Sequence, residues 1–232
     1  MGAVIFLYLK APFGAFRTFT SGSFRPTAGF ITPSAAYGLL LNVAGIEMRH
    51  DDGVSLMTGV AKGLPPVRLS LATLQWPGPA RQSLLQQLHN YPVGSTGKEH
   101  APGAKGSKYN IIPVRREFLM DINAYIGVDG NPELEKRILD GLQGKTARLY
   151  GVLFLGDNNF LIDRLEPLEQ PQPAHWFEKV QEVEERIRKN VMRLTITIDR
   201  ADLSRSRSML FAPCPGKRAT PTSDSWVEVN YL

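Results

Sequence analysis

The sequence has one cysteine, Cys214, set between Pro213 and Pro215. A single thiol excludes an internal disulfide framework and a cysteine-based zinc cluster, and it fits a reducing, cytoplasmic setting in which Cys214 is a spectator. Long apolar runs are missing too. The N-terminal stretch AVIFLYLK (3–10) is too short to span a bilayer and lacks the basic leader and small-residue cleavage site of a signal peptide. Phe6 stands where the myristoylation pattern needs Ser or Thr, so no membrane partner is expected. His50, His89, His100 and His175 show no metal-ligand spacing with one another or with Cys214. There is no P-loop, GxGxxG after a strand, GxSxG elbow or HExxH motif. Neither a metal nor a cofactor is therefore expected. Asp51-Asp52 beside Gly53 reads as a turn ahead of a metal site. The absence of a fixed-period repeat or heptad array excludes solenoids and coiled coils.

Negative charge is scarce in particular places. No carboxylate side chain precedes Glu47, whereas Lys10, Arg17 and Arg25 do. Between 94 and 116, Lys98, Lys105, Lys108, Arg115 and Arg116 face only Glu99, and near the end Arg200, Arg205, Arg207, Lys217 and Arg218 oppose Asp199 and Asp202. The formal net charge is +5. Three basic segments form one polyanion site if the fold brings them together, and three solvated loops if it does not; charge alone leaves both open.

What is present suffices for a sizeable core, since 43% of the 232 residues are apolar, enough for one large or two small domains. Residues 3–10 read as a strand covered on both faces, ended by Pro12 and Gly14. Thr32-Pro33-Ser34 opens a helix over about 33–44, with Ala35, Ala36, Leu39, Leu40 and Val43 at helical spacing and Gly45 as its stop. VRLSLATLQ (67–75) alternates as a strand, and Leu84, Leu85, Leu88 and Tyr91 lie on one stripe of a short helix. Residues 92–108, with four glycines and two prolines, form a mobile loop or the tip of a long hairpin. NIIPVRREFLMDINAYIGV resumes strand structure, and Asn131-Pro132-Glu133 caps a helix carrying Leu134, Ile138, Leu139 and Leu142, stopped by Gly144. RLYGVLFLG reads as an apolar strand and AHWFEKVQEVEERIRKN as an amphipathic helix; MRLTITID and SWVEVNYL read as strands. This order predicts an α+β sheet with helices on one face, the split βαβ ferredoxin-like arrangement included.

Three stretches carry possible chemistry. Lys98-Glu99-His100 has acid/base parts for RNA cleavage, but a soluble tip that touches phosphate is the stronger reading. The start of the 33–44 helix exposes N–H groups beside Phe16, Arg17, Phe19, Phe24 and Arg25, which either contact phosphates and bases or, for the aromatics, pack under the sheet. SRSRS (204–208) is a phosphate-binding loop or a solvated turn.

The element Phe13-x-Ala15-Phe16-Arg17, followed by PTAGFITPSAAYGLLLNVAGIE, RLSLA, RREFLMDINAYIGV and LYGVLFLGDNNFLIDRLEP, resembles the Cas-five family. These are backbone subunits of type I CRISPR surveillance complexes (Cascade) within the superfamily of repeat-associated RNA-binding proteins. The resemblance spans roughly residues 3–168, and TPSAxxGLLxxxxG is its most specific part. It implies an RRM-like ferredoxin domain over 1–168 with an inserted β-hairpin thumb at about 76–117, and a C-terminal helix and strand-rich region over 169–232. It also implies binding of the 5′ handle of the crRNA and capping of the filament of Cas-seven subunits, with the large Cascade subunit as a further partner and target DNA as an indirect one. Under this resemblance Arg17 and Arg25 position phosphates, Ser34 and the helix amides supply neutral donors, and residues 94–108 are the thumb tip with Lys98, Lys105, Lys108 and Tyr109. Phe24, Arg115, Arg205, Arg207, Lys217 and Arg218 complete the implied RNA-binding set. One branch of the family cleaves precursor RNA with a tyrosine, a lysine and a histidine. Tyr37, Lys98 and His100 match only loosely, because Glu99 separates the last two, so a non-catalytic subunit is the preferred reading and a metal-independent endoribonuclease the alternative.

Overall fold

The structure, a computed structural model, describes residues 4–18, 22–51, 53, 58–89, 95–103, 108–148, 152–181 and 188–231. In chain order its elements are β1 (Ile5–Gly14), β2 (Phe24–Arg25), α1 (Pro33–Val43), β3 (Arg49–His50), β4 (Gly59–Val60), β5 (Val67–Thr73), β6 (Ala80–His89), β7 (Ile111–Asp129), α2 (Pro132–Leu142), β8 (Arg164–Leu168), β9 (His175–Lys179), β10 (Met192–Thr197), β11 (Arg207–Pro213) and β12 (Val227–Val229). Ten strands make one sheet in the order β10-β11-β9-β5-β7-β1-β8, with β12 on β5 and both β2 and β6 along β7; β3 and β4 pair separately. The pairings are antiparallel except that of β2 with β7. The fold is α+β, and the strands after residue 169 continue the same sheet.

Both helices form where local chemistry starts and stops them. The Thr32 side chain accepts a hydrogen bond from the Ala35 amide, Pro33 fits the first turn, and Gly45 leaves α1 at φ +65°. Asn131 caps α2 by accepting from the Leu134 amide. The helices meet closely: a methyl group on Gly141 would lie 1.9 Å from the Val43 carbonyl oxygen. Arg137 donates to the carbonyls of Ala44 and Gly45 (3.1 and 3.3 Å), putting a cation at the C-terminal end of α1, where the backbone dipole favours it.

The main core lies between these helices and one face of the sheet. Leu7, Leu9 and Ala11 of β1 point into it with Ile122, Ala124 and Ile126 of β7, while Phe6 and Tyr8 on the opposite face pack with Ala72, Tyr125 and Trp176. The first strand is thus covered on both faces. It also runs through Pro12 to Gly14 instead of stopping there. Because β8 pairs β1 only as far as Lys10, the missing N–H of Pro12 costs that ladder nothing.

Three further expectations are corrected. Residues 80–89 are the strand β6, not a helix: ten consecutive residues pair with Ile111–Met120 of β7, and this long-range register overrides the helical spacing of Leu84, Leu85 and Leu88. His175–Lys179 is the strand β9, buried between β5 and β11, where Phe177 stacks on Phe30 at 4.3 Å. Burial on both faces removes the alternation that would have marked it; Val183 and Ile187 of the expected helix lie outside the described residues. Residues 152–156 of RLYGVLFLG form a turn with a single bridge, Phe154 to Leu161, and the strand in this region is β8. Residues 149–151 of that stretch are outside the described residues.

Candidate nucleic-acid interface

β7 is nineteen residues long and changes partners midway. Its second half pairs β5 inside the sheet, and its first half pairs β6. Asp121 sits at the joint with φ +53°, accepting hydrogen bonds from Gln75 (2.9 Å) and Asn123 (3.0 Å). Across it the core-facing positions pass from Leu119 to Ile122, Ala124 and Ile126, an odd step that changes which alternate residues face the core. The β6–β7 hairpin projects from that point. None of β6 is buried, and Leu85 is 78% exposed.

Midway along the hairpin β2 runs parallel to β7, setting Phe24 opposite Arg115 and Arg25 opposite Arg116. Arg17 bridges to Thr27 just behind. Residues paired across strands share a face, so the implied site residues divide: Arg25 goes with Arg116 and Arg17 on one face, and Phe24, 46% exposed, goes with Arg115 on the other. Burial and then the like charges of Arg17 and Arg116 pull the Arg25 guanidinium below its ordinary pKa. Among the described residues neither Arg17 nor Arg25 forms an ion pair. Clustered, unneutralised guanidiniums disfavour one another and favour an anion.

Arg116 is different, because it donates to the Asp157 carboxylate and its guanidinium lies 5.6 Å from the centroid of the Phe160 ring. Burial raises the Asp157 carboxyl, but the Asn159 amide, the Arg116 hydrogen bond and charge and the Asn159 side chain outweigh it, holding the group below its ordinary value. The same face carries Phe13, Phe118 and Phe160, aromatics that the sequence reading did not single out for stacking. The signal lay in Arg116-x-Phe118, two positions apart on a strand and hence on one face.

The other implied residues scatter. Phe16 is 3% exposed and packs in the core. Ser34 is also buried, its hydroxyl 3.0 Å from that of Thr32. Lys98 is exposed at the hairpin tip, Tyr109 is 37% exposed there with φ +57°, and His100 contacts the Ser95 hydroxyl at 3.1 Å. Lys105, Phe19 and the side chain of Lys108 lie outside the described residues. Arg205 pairs with Asp202, and Arg207 opens β11, which the register of β9 on β5 carries toward the Val67 end of the sheet, away from Arg115. Lys217 is exposed, and Arg218 lies beside Ala174 with its guanidinium 4.0 Å from buried Glu178. Two basic segments therefore meet midway along the hairpin, and Arg205 and Arg207 of the third lie beyond the opposite end of the strands.

Tyr37 is fully buried; its hydroxyl donates to the Pro65 carbonyl (2.8 Å), its ring stacks on Tyr231, and burial, helped by Tyr231, raises its pKa. Ten paired residues at about 3.4 Å each separate the tip from the sheet, so Tyr37, Lys98 and His100 form no constellation here. Asp51 accepts from the Gly53 amide in a turn, and no group of three or more potential metal ligands occurs among the described residues. Nor is any described helix long and apolar enough to cross a membrane.

A basic sheet face along a projecting hairpin defines a candidate polyanion-binding protein. The chain belongs to the CRISPR-associated protein (Cas_Cas5) family, whose sequence profile matches residues 4–201, reaching past Leu168 and through β10. Its fold is similar to that of a chain from a CRISPR RNA-guided surveillance complex, with a TM-score of 0.60, 16% identity and 96% of each chain covered. A second solved structure, a Cas protein, has a TM-score of 0.47 and 13% identity over 91% of this chain and 93% of that one. No curated protein sequence matches significantly.

Proposed function

We propose that this protein is a non-catalytic subunit of a type I CRISPR surveillance complex, Cascade, which binds the 5′ handle of the crRNA and caps the filament of Cas-seven subunits. The observation that carries the reading is the cluster of Arg17, Arg25 and Arg116 beside the middle of the hairpin, two of them without an ion pair among the described residues. Guanidiniums so arranged follow a phosphate backbone without reading its sequence. The β6–β7 hairpin serves as the thumb of an RRM-like domain, reaching from that site toward the neighbouring subunit, and the large subunit and target DNA are met within the assembly. Membership of the family supports this role.

Cleavage of precursor RNA by Tyr37, Lys98 and His100 is disfavoured, because the tyrosine hydroxyl is engaged in the core. The test is to mix the protein with labelled precursor repeat RNA in EDTA and follow gel shift and cleavage across a salt series. Binding that weakens with salt while the RNA stays intact is the expected result. Site-specific cleavage, or no RNA affinity at any salt concentration, overturns it.

A further inference from the structure

We infer that Phe13, Phe118 and Phe160 form a stacking platform for one base of a single-stranded nucleic acid; this rests on the reading above and adds a base-contacting site to it. The three rings make a triangle with centroids 5.4 Å (Phe13–Phe118), 6.0 Å (Phe13–Phe160) and 5.8 Å (Phe118–Phe160) apart. None of them belongs to a buried core cluster, and Phe13, on an edge-to-face contact with Phe118, is 39% exposed. Mutual edge-to-face and tilted contacts hold the trio together, and Phe13 still keeps 39% of its surface open to a ligand.

The platform is held in advance of any ligand. The Asp157 carboxylate accepts from the amide and side chain of Asn159 (2.9 and 2.8 Å), and the Phe160 amide donates to the Asp157 carbonyl (2.9 Å). Leu155 ties the loop to both sides, donating to the Phe160 carbonyl (2.8 Å) and accepting from the Ala15 amide (3.3 Å) at the end of β1. Arg116 then covers part of Phe160. Rings fixed in this way lose little freedom when a base stacks on them.

Charge selects the occupant. Arg116 lies between the trio and Arg25, whose pKa responds to Arg17 and Arg116, so the aromatic surface borders the cationic face directly. A single strand whose phosphates lie along the arginines turns its next base toward the rings. Stacking accepts any base, as a subunit that follows the backbone requires.

The test uses a fluorescein-labelled oligoadenylate RNA and an abasic ribose-phosphate oligomer of the same length, with wild type, Phe13→Leu and Phe13→Tyr. Phe13→Leu should weaken oligoadenylate binding about tenfold, leave the salt slope and abasic binding unchanged, and be rescued by Phe13→Tyr. Equal oligoadenylate affinity for Phe13→Leu and wild type overturns the platform, while the handle-binding reading stands. Equal losses with both oligomers also overturn it. Wild type with no salt-dependent RNA binding overturns the handle-binding reading and the platform with it. Should Phe13→Leu melt early, Phe160→Leu with Phe160→Tyr makes the same comparison.

Discussion

Arg116 and Asp157, separated by 41 residues in sequence, form an ion pair in which both side chains are less than a fifth exposed. The pair joins the middle of the hairpin to the loop carrying Phe160, and it neutralises one of the three clustered arginines. Asp157→Asn should therefore do two things. It should destabilise the fold by about 1–2 kcal/mol, between the values for exposed and buried pairs. It should also release Arg116, raising RNA affinity at low salt and steepening the salt dependence by about 0.7 of a log unit per log unit. Binding curves with an unchanged slope would mean that Arg116 does not face the nucleic acid.

The same pair sets a pH dependence. The native Asp157 pKa is depressed from 3.8, so its stabilisation is fully present above that value and is lost as pH falls through the lower native value. The gap in urea midpoint between wild type and Asp157→Asn should be constant from neutral pH to about pH 5 and shrink below about 4. A gap that widened on acidification would contradict the ion pair.

Arg205→Ala with Arg207→Ala should leave the RNA salt slope unchanged, because β11 carries these residues to the far end of the strands from Arg25 and Arg116. A lower slope in the double variant would show that the nucleic acid crosses the sheet.

Replacing residues 98–108 with a short Gly-Ser linker should leave the melting temperature within a few degrees of wild type, since no described residue of this stretch belongs to the core. It should impair assembly with Cas-seven subunits. Undiminished assembly of the linker variant would remove the hairpin from that contact.

Tyr37→Phe removes a donor from the Pro65 carbonyl and should cost about 1 kcal/mol of stability without altering RNA binding or the integrity of bound RNA. If the wild type cleaved and this variant did not, the endoribonuclease reading would replace the structural one.

The helices α1 and α2 were legible because their signals are local: Thr32 and Asn131 cap them, Pro33 and Pro132 fit their first turns, and Gly45 and Gly144 follow them. β6 and β9 were not, for opposite reasons. β6 is solvated along its length and owes its conformation to β7; β9 is buried on both faces and shows no alternation. The candidate site divides in the same way. Arg17 and Arg25 stood out from a segment without carboxylates. Their union with Arg116 depends on a parallel pairing between β2 and β7, and the aromatic trio depends on which face β7 presents before Asp121. Those relations join residues some forty to one hundred and fifty positions apart, beyond the reach of any local spacing.

The most direct test of the cationic face is the salt dependence of handle RNA binding by wild type and by Arg17→Ala with Arg25→Ala. Each arginine that meets a phosphate of a single strand contributes about 0.7 to the slope of log K against log salt, so the double variant should lose about 1.4. A wild-type slope retained in the double variant would contradict the assignment of RNA to this face.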